Sequence, residues 1–134
     1  MAQPPKLEID GVAYPRVYSL SYTLYTDRDE TGKPSSMARG GVIKVMREAD
    51  DKTEITRWAT DSAKTNFKPG KVTIFGPEKN ELKILEWENG FITHYEEHIP
   101  HTKDRPDDQI YEYFEISAEK IKVKDAEVNN EWEW

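Results

Sequence analysis

The stretch from Tyr18 to Val45 constrains this chain most. Tyr18, Leu20, Tyr22 and Leu24 alternate with other side chains in the way a half-buried strand requires. The sequence then leaves that pattern for a polar excursion, Asp27 to Arg39, and returns through Gly40-Gly41 into a second strand, Val42–Met46. The excursion holds Asp29, Gly32, Lys33, Pro34, Ser35 and Ser36, which are turn formers and charges, and it has no helical periodicity. A connection of that length is uncommon in a compact domain unless it has a task. It carries no catalytic set. An ordered polar arm on a small β-domain is better suited to gripping a neighbour than to processing a substrate.

The remaining pattern is also β. Asp10-Gly11, between Leu7-Glu8-Ile9 and Val12-Ala13-Tyr14, signals a tight hairpin, and Asn89-Gly90 signals a second, joining 81–88 to 91–99. The apolar phase slips between Leu82/Ile84 and Leu85/Trp87, which predicts a bulge. Ile110, Glu112, Phe114, Ile116 and Ala118 share one face of a long final strand, and its phase changes before Ile121 and Val123. One helix is expected, capped by Asp51 with Glu54 completing a capping box, its Ile55, Trp58 and Ala59 turned to the sheet. Pro69-Gly70 then leads into strand Val72–Phe75. The expectation is a mainly β single domain over residues 1–134: a small barrel of two twisted antiparallel sheets with one flanking α-helix. The tail, 125–134, is expected to dock its tryptophans on its own barrel or on a neighbour.

Composition narrows the function. A hydrophobic share of 36% is modest for 134 residues, so neighbouring subunits could complete the burial. The net charge of −7 argues against nucleic acid and anionic membranes as partners. Without cysteine there is neither a disulfide framework nor a thiolate metal site. The opening Met-Ala-Gln-Pro-Pro has no apolar run of signal-peptide or membrane-span length, so cytoplasmic synthesis is expected, with export by a machine that needs no cleavable signal.

Candidate chemistry is thin. His94-Tyr95-Glu96-Glu97-His98 fits the inverted zinc-protease pattern, but that chemistry needs a helix. Gly90, Pro100 and the alternation of Phe91, Thr93 and Tyr95 predict a strand, on which the two histidines stand roughly 13 Å apart. His101 could join them only after a turn. Arg39-Gly40-Gly41 lacks the helix and lysine pattern of a phosphate cradle, and its glycines are read as a tight start to a strand. Glu86/Glu88 and Glu96/Glu97 are read as the solvated face of a sheet, and Ser35-Ser36 as loop chemistry. Tyr111, Tyr113, Trp132 and Trp134 could form a carbohydrate platform or a protein interface, unless the tyrosines face a second sheet. No catalytic residue, cofactor or metal is expected.

Leu20-Ser21-Tyr22, Asp29 through Gly32-Lys33-Pro34-Ser35-Ser36, and Arg39-Gly40-Gly41 with Ile43 together resemble the tube protein of the type VI secretion system, the haemolysin-coregulated protein (Hcp) family. The helix with Trp58, the strand Phe114–Ile121 and the ending Asn130-Glu131-Trp132 extend the likeness over nearly the whole chain. The resemblance implies a structural subunit whose six copies close into a ring. Rings stack into a tube that a contractile sheath drives, behind a spike, out of the cell, with small effectors carried in the lumen. It implies secretion, no enzyme activity, no nucleic acid and no membrane insertion. The arm, Asp27–Gly41, is then expected to reach an adjacent subunit or ring, with Arg39 as its ionic anchor. Two other readings stay open: the tail-tube protein of a phage-like injection particle, and a carbohydrate-binding β-module. A zinc hydrolase built on His94 and His98 ranks last.

Overall fold

The computed structural model describes residues 3–61, 65–99 and 110–133. The elements in chain order are β1 (Lys6–Ile9), β2 (Val12–Tyr14), β3 (Val17–Tyr25), β4 (Arg39–Glu48), α1 (Glu54–Thr60), β5 (Lys68–Phe75), β6 (Glu81–His98), β7 (Tyr111–Val123) and β8 (Ala126–Asn129). The mainly β reading with one flanking helix holds. The eight strands, however, form one antiparallel sheet in the order β2-β1-β5-β6-β7-β4-β3, with β8 also paired to β7, rather than two sheets. The reason is the length of β6 and β7, 18 and 13 residues, which run through both halves of the fold. A cleft of about 350 Å³ lined by Leu20 and Tyr22 of β3 and Ile74 and Phe75 of β5 shows that the sheet curls strongly.

Asp10 and Gly11 have φ of 53° and 81° and join β1 to β2 with Ile9 opposite Val12, the expected hairpin. Asn89-Gly90 is not a hairpin. Asn89 does take positive φ, 53°, but β6 continues through it. Glu88 and Asn89 together oppose Pro69, because Lys68 pairs Gly90 while Gly70 pairs Trp87. The dipeptide therefore makes a bulge, and Pro69, which has no N–H to offer a ladder, sits at its partner position. The bulge also makes a slot: a Cβ on Gly70 would lie 2.2 Å from the Trp87 ring, and one on Gly90 2.5 Å from its Nε1. The indole fills the space between the two glycines and donates to Lys68 O at 3.0 Å.

The phase slip between Ile84 and Leu85 is not itself a bulge, since Thr73 pairs Ile84 and Val72 pairs Leu85 in regular register; a bulge lies nearby at Leu82, where Ile74 pairs Lys83 and Phe75 pairs Glu81. The phase reading of β7 also holds: Glu112, Phe114, Ile116 and Ala118 are buried, and burial resumes at Ile121. β7 is not the last strand, because a turn at Lys124 (φ 57°) returns the chain as β8. In α1, Ile55 and Trp58 are buried as expected, with Trp58 Nε1 donating to Asn66 O at 3.0 Å. The cap position is Thr53, not Asp51, and no side-chain hydrogen bond closes it.

Among the described residues, two charged side chains lie in the core. Arg47 and Glu112 are 2% and 4% exposed and ion-paired to each other on the inner face. Arg47 also donates to Pro15 O and to Asp50, both at 3.2 Å. Tyr95 Oη donates to the second Glu112 oxygen at 2.7 Å, and Thr56 of α1 donates to Tyr95 at 3.2 Å. Burial, with the Glu112 carboxylate beside it, pushes the Tyr95 phenol up to about 12. For Asp50, burial raises the pKa but the Lys52 N–H and Arg47 outweigh it, leaving the carboxyl below its ordinary range. This network ties the β2–β3 turn, β4, α1, β6 and β7 together.

Candidate assembly interface

The arm between β3 and β4 builds itself from local hydrogen bonds. Asp29 Oδ1 accepts from Thr31 N (2.9 Å), Thr31 Oγ1 (2.7 Å) and Lys33 N (3.0 Å). Gly32, at φ 87°, closes the tip by donating to Asp29 O at 3.0 Å. Asp29 N donates to Lys33 O, Ser35 N to Asp27 O, and Asp27 N to Ser36 Oγ, all within 2.8–2.9 Å. Arg28 bridges Pro34. The Thr31 hydroxyl, then the Lys33 N–H, hold the Asp29 carboxyl below its ordinary range. By linkage the tip is at full strength above the ordinary aspartate pKa and weakens as pH falls through the lowered one.

Among the described residues, the hydrogen bonds of this element run only within the arm. Apart from half-buried Ser36, every residue from Thr26 to Arg39 is exposed, Met37 by 61%. The expected residues Asp29, Gly32, Lys33, Pro34, Ser35 and Ser36 are thus gathered in one tip. Arg39, Gly40 and Gly41 are not in it: they already form the start of β4, with Arg39 opposite Tyr25 and Gly40 opposite Leu24. Among the described residues Arg39 makes no ion pair. Gly41 is held small by Thr23, whose Oγ1 would lie 2.1 Å from a Cβ, at the bulge where Tyr22 pairs Ile43 and Leu24 pairs Gly40. Neither glycine has positive φ, so the pair acts through close approach.

Beside the arm runs an edge. β3 ends the sheet, so one side of its nine-residue backbone has no strand partner among the described residues. Tyr18, Leu24 and Tyr25 on it are 51%, 43% and 49% exposed. A long, partly apolar edge invites pairing with another chain.

The outer face of the sheet is polar. His94 and His98 lie on β6, as the flanks of the zinc-like pattern require, and each meets a different neighbour. His94 contacts Glu96 at 3.3 Å and the edge of Tyr113, while His98 stacks on Tyr111 at 4.8 Å between centroids. Tyr113 donates to Glu115 at 2.8 Å, and burial with that carboxylate pushes its phenol up to about 12. Tyr111 and Tyr113 thus lie half-buried on the outer face, already engaged by neighbours. Glu86 stands in register with Lys71 and Lys122, and Lys120 lies 3.9 Å from Glu88, so these charges alternate across the sheet surface. His101 and Trp134 lie outside the described residues.

The tail is held at the base of the arm. Gly40 N donates to Asn130 Oδ1 at 2.9 Å, and Asn130 Nδ2 donates to Ala118 O at 2.9 Å and to Gly40 O at 3.4 Å. Glu119 accepts from Trp132 N (3.0 Å) and Asn89 Nδ2 (2.8 Å) through its two carboxylate oxygens. Trp132 packs on Phe91 with ring centroids 5.9 Å apart. The sequence gives no role to Asn130 by itself; the one local sign is that Gly40, its partner, carries no side chain.

A family model described as hemolysin coregulated protein Hcp (TssD) matches residues 1–133. This chain belongs to the Hcp family. Hcp1 from Flavobacterium johnsoniae is 30% identical, covers 96% of this chain and 100% of its own, and superposes with a TM-score of 0.80. A mutant form of Hcp1 from E. coli EAEC 042 shares the fold at 15% identity, 95% and 99% coverage and a TM-score of 0.71. So does the sheath/tube terminator of the PVC extracellular contractile injection system, at 15% identity, 90% and 93% coverage and a TM-score of 0.62. Comparison with curated proteins gives no match. The function is therefore that of an Hcp, a structural tube subunit of a type VI secretion system. Hcp proteins are secreted by those systems, and no helix among the described residues is long and apolar enough to cross a membrane.

Proposed function

We propose that six copies of this chain close head to tail into a ring, that rings stack into the inner tube, and that the Asp27–Gly41 arm makes the contact between copies. The observation that carries this reading is the arm itself, hydrogen-bonded within its tip yet exposed from Asp27 to Arg39 except at half-buried Ser36. Ordering a dozen residues costs roughly 1–2 kcal/mol each in backbone entropy. A surface that ordered is prepared for a partner, and the adjoining β3 edge offers a second line of contact.

A head-to-tail contact closes at six copies only if each turns the next by about 60°. A stable contact of this kind buries about 1,200–2,000 Å². Each copy carries −7, so six carry −42, and arms must hold rings together against that repulsion. Sheath, spike and lumenal effector proteins are the partners the family role implies. Synthesis in the cytoplasm precedes expulsion through the machine.

Lys33 reports the arm contact directly, since its amine is exposed at the tip. A zero-length carbodiimide cross-link in a mixture of isotope-labelled and unlabelled chains should join Lys33 to a carboxylate of another copy. Cross-links of Lys33 confined to its own chain would overturn the arm assignment.

A further inference from the structure

We infer that Asn130 is a positioning residue for tube assembly: its side-chain amide sets the direction in which the arm leaves the sheet. This rests on the reading that the arm makes the contact between copies.

The β4–β7 ladder runs from Glu48–Tyr111 to Val42–Ser117 and ends there. Gly40 and Gly41 lie one step beyond it, on the strand that emits the arm, and on that side they have no strand partner among the described residues. Asn130 stands in the vacant position. A carboxamide offers a carbonyl acceptor and N–H donors, the kinds of group that a peptide unit presents to a ladder, with one donor more. Its Oδ1 takes the Gly40 N–H, and its Nδ2 reaches both Gly40 O and Ala118 O, so one side chain bridges β4 and β7. The amide is fixed in turn. Asn130 N donates to Glu119 O at 2.7 Å, and Glu119 and Phe91 hold Trp132 just beyond it.

The packing leaves little freedom on the β4 side. A Cβ at residue 40 would lie 2.6 Å from Ile121 Cδ1 and 3.6 Å from Asn130 Nδ2, so the backbone of Gly40 sits directly against both. The other neighbour of this segment is β3, itself the edge of the sheet and the second stem of the arm. The two stems can swing together as a ribbon unless something ties one of them to β7. Asn130 is that tie. A displacement at the base is carried outward to the tip, where Asp29 to Ser36 must meet another copy.

The test compares the full chain with Asn130→Ala, Asn130→Asp and an arm-deleted chain. Asn130→Asp keeps the acceptor for Gly40 N–H but loses both donations, and it serves if the alanine variant does not fold. In either variant the Gly40 amide and the arm amides should exchange with solvent about tenfold faster or more, while amides of Phe114 and Ile116 stay unchanged. Tube length in negative stain should fall with them, with the thermal midpoint of the subunit kept. Full-length tubes from a folded Asn130→Ala or Asn130→Asp chain, made by a protein whose arm deletion abolishes tubes, would overturn the role of Asn130 alone. Full-length tubes from the arm-deleted chain would overturn the underlying arm reading instead.

Discussion

Replacing residues 26–38 with a two-residue Asn-Gly turn should abolish tube formation while leaving the subunit folded. Tyr25 and Arg39 are already paired, so the shortened connection suits a tight hairpin. The excised residues are exposed and bonded mainly to one another, so their loss should change subunit stability by no more than about 0.5 kcal/mol. Assembly is another matter. An arm that contributes only ~1 kcal/mol per copy is used six times where two rings meet. Its removal then costs about 6 kcal/mol, on the order of 10⁴ in the stacking constant. Light scattering and negative stain read this directly. Tubes of normal length from a folded, armless chain would contradict the assignment.

Glu112→Ala should destabilise the subunit by about 3–5 kcal/mol, the usual cost of removing one partner from a buried ion pair. Arg47, 2% exposed, would keep its charge in the core with Pro15 O and Asp50 as its remaining acceptors. Asp50, itself partly exposed, holds the loss toward the lower end of that range. Tyr95 Oη would lose its 2.7 Å acceptor as well, leaving the Glu97 carboxylate at 3.5 Å. Replacing both charges together, as Arg47→Met with Glu112→Leu, should be far milder than Glu112→Ala alone, because no orphan charge remains. Urea midpoints measure both variants. A loss below about 1 kcal/mol for Glu112→Ala would show that water reaches Arg47 and that the network is not a dry one.

How far the sequence carried can be judged residue by residue. Alternation placed the inward face of β7, including Glu112, because a period of two survives in the sequence whatever the strand pairs with. It could not name Arg47 as the partner, 65 positions away, since only the β4–β7 register brings them together. Asp10-Gly11 and Asn89-Gly90 carry the same local instruction, a positive φ at the first residue. The first turns the chain and the second bulges it. What separates them is whether the flanking segments pair with each other or, as in β6, with β5 and β7 on either side.

The arm was legible for a related reason. Its turn residues Asp29, Gly32 and Ser36 act on near neighbours, and local hydrogen bonds need no tertiary information. The roles of Gly40, Gly41 and Asn130 were not legible, because each depends on a close approach between distant segments. The short helix was found from Ile55 and Trp58, whose spacing is a packing signal. Its cap was misplaced because Asp50, Asp51 and Thr53 all suit that position, and Asp50 is taken by Arg47 and Lys52 N.

Analytical ultracentrifugation of the intact chain, across a wide concentration range, bears on all of this most directly. A discrete species of six chains, growing into longer particles as concentration rises, is what self-closure around an axis requires. A single chain that sediments alone at the highest concentration would contradict it.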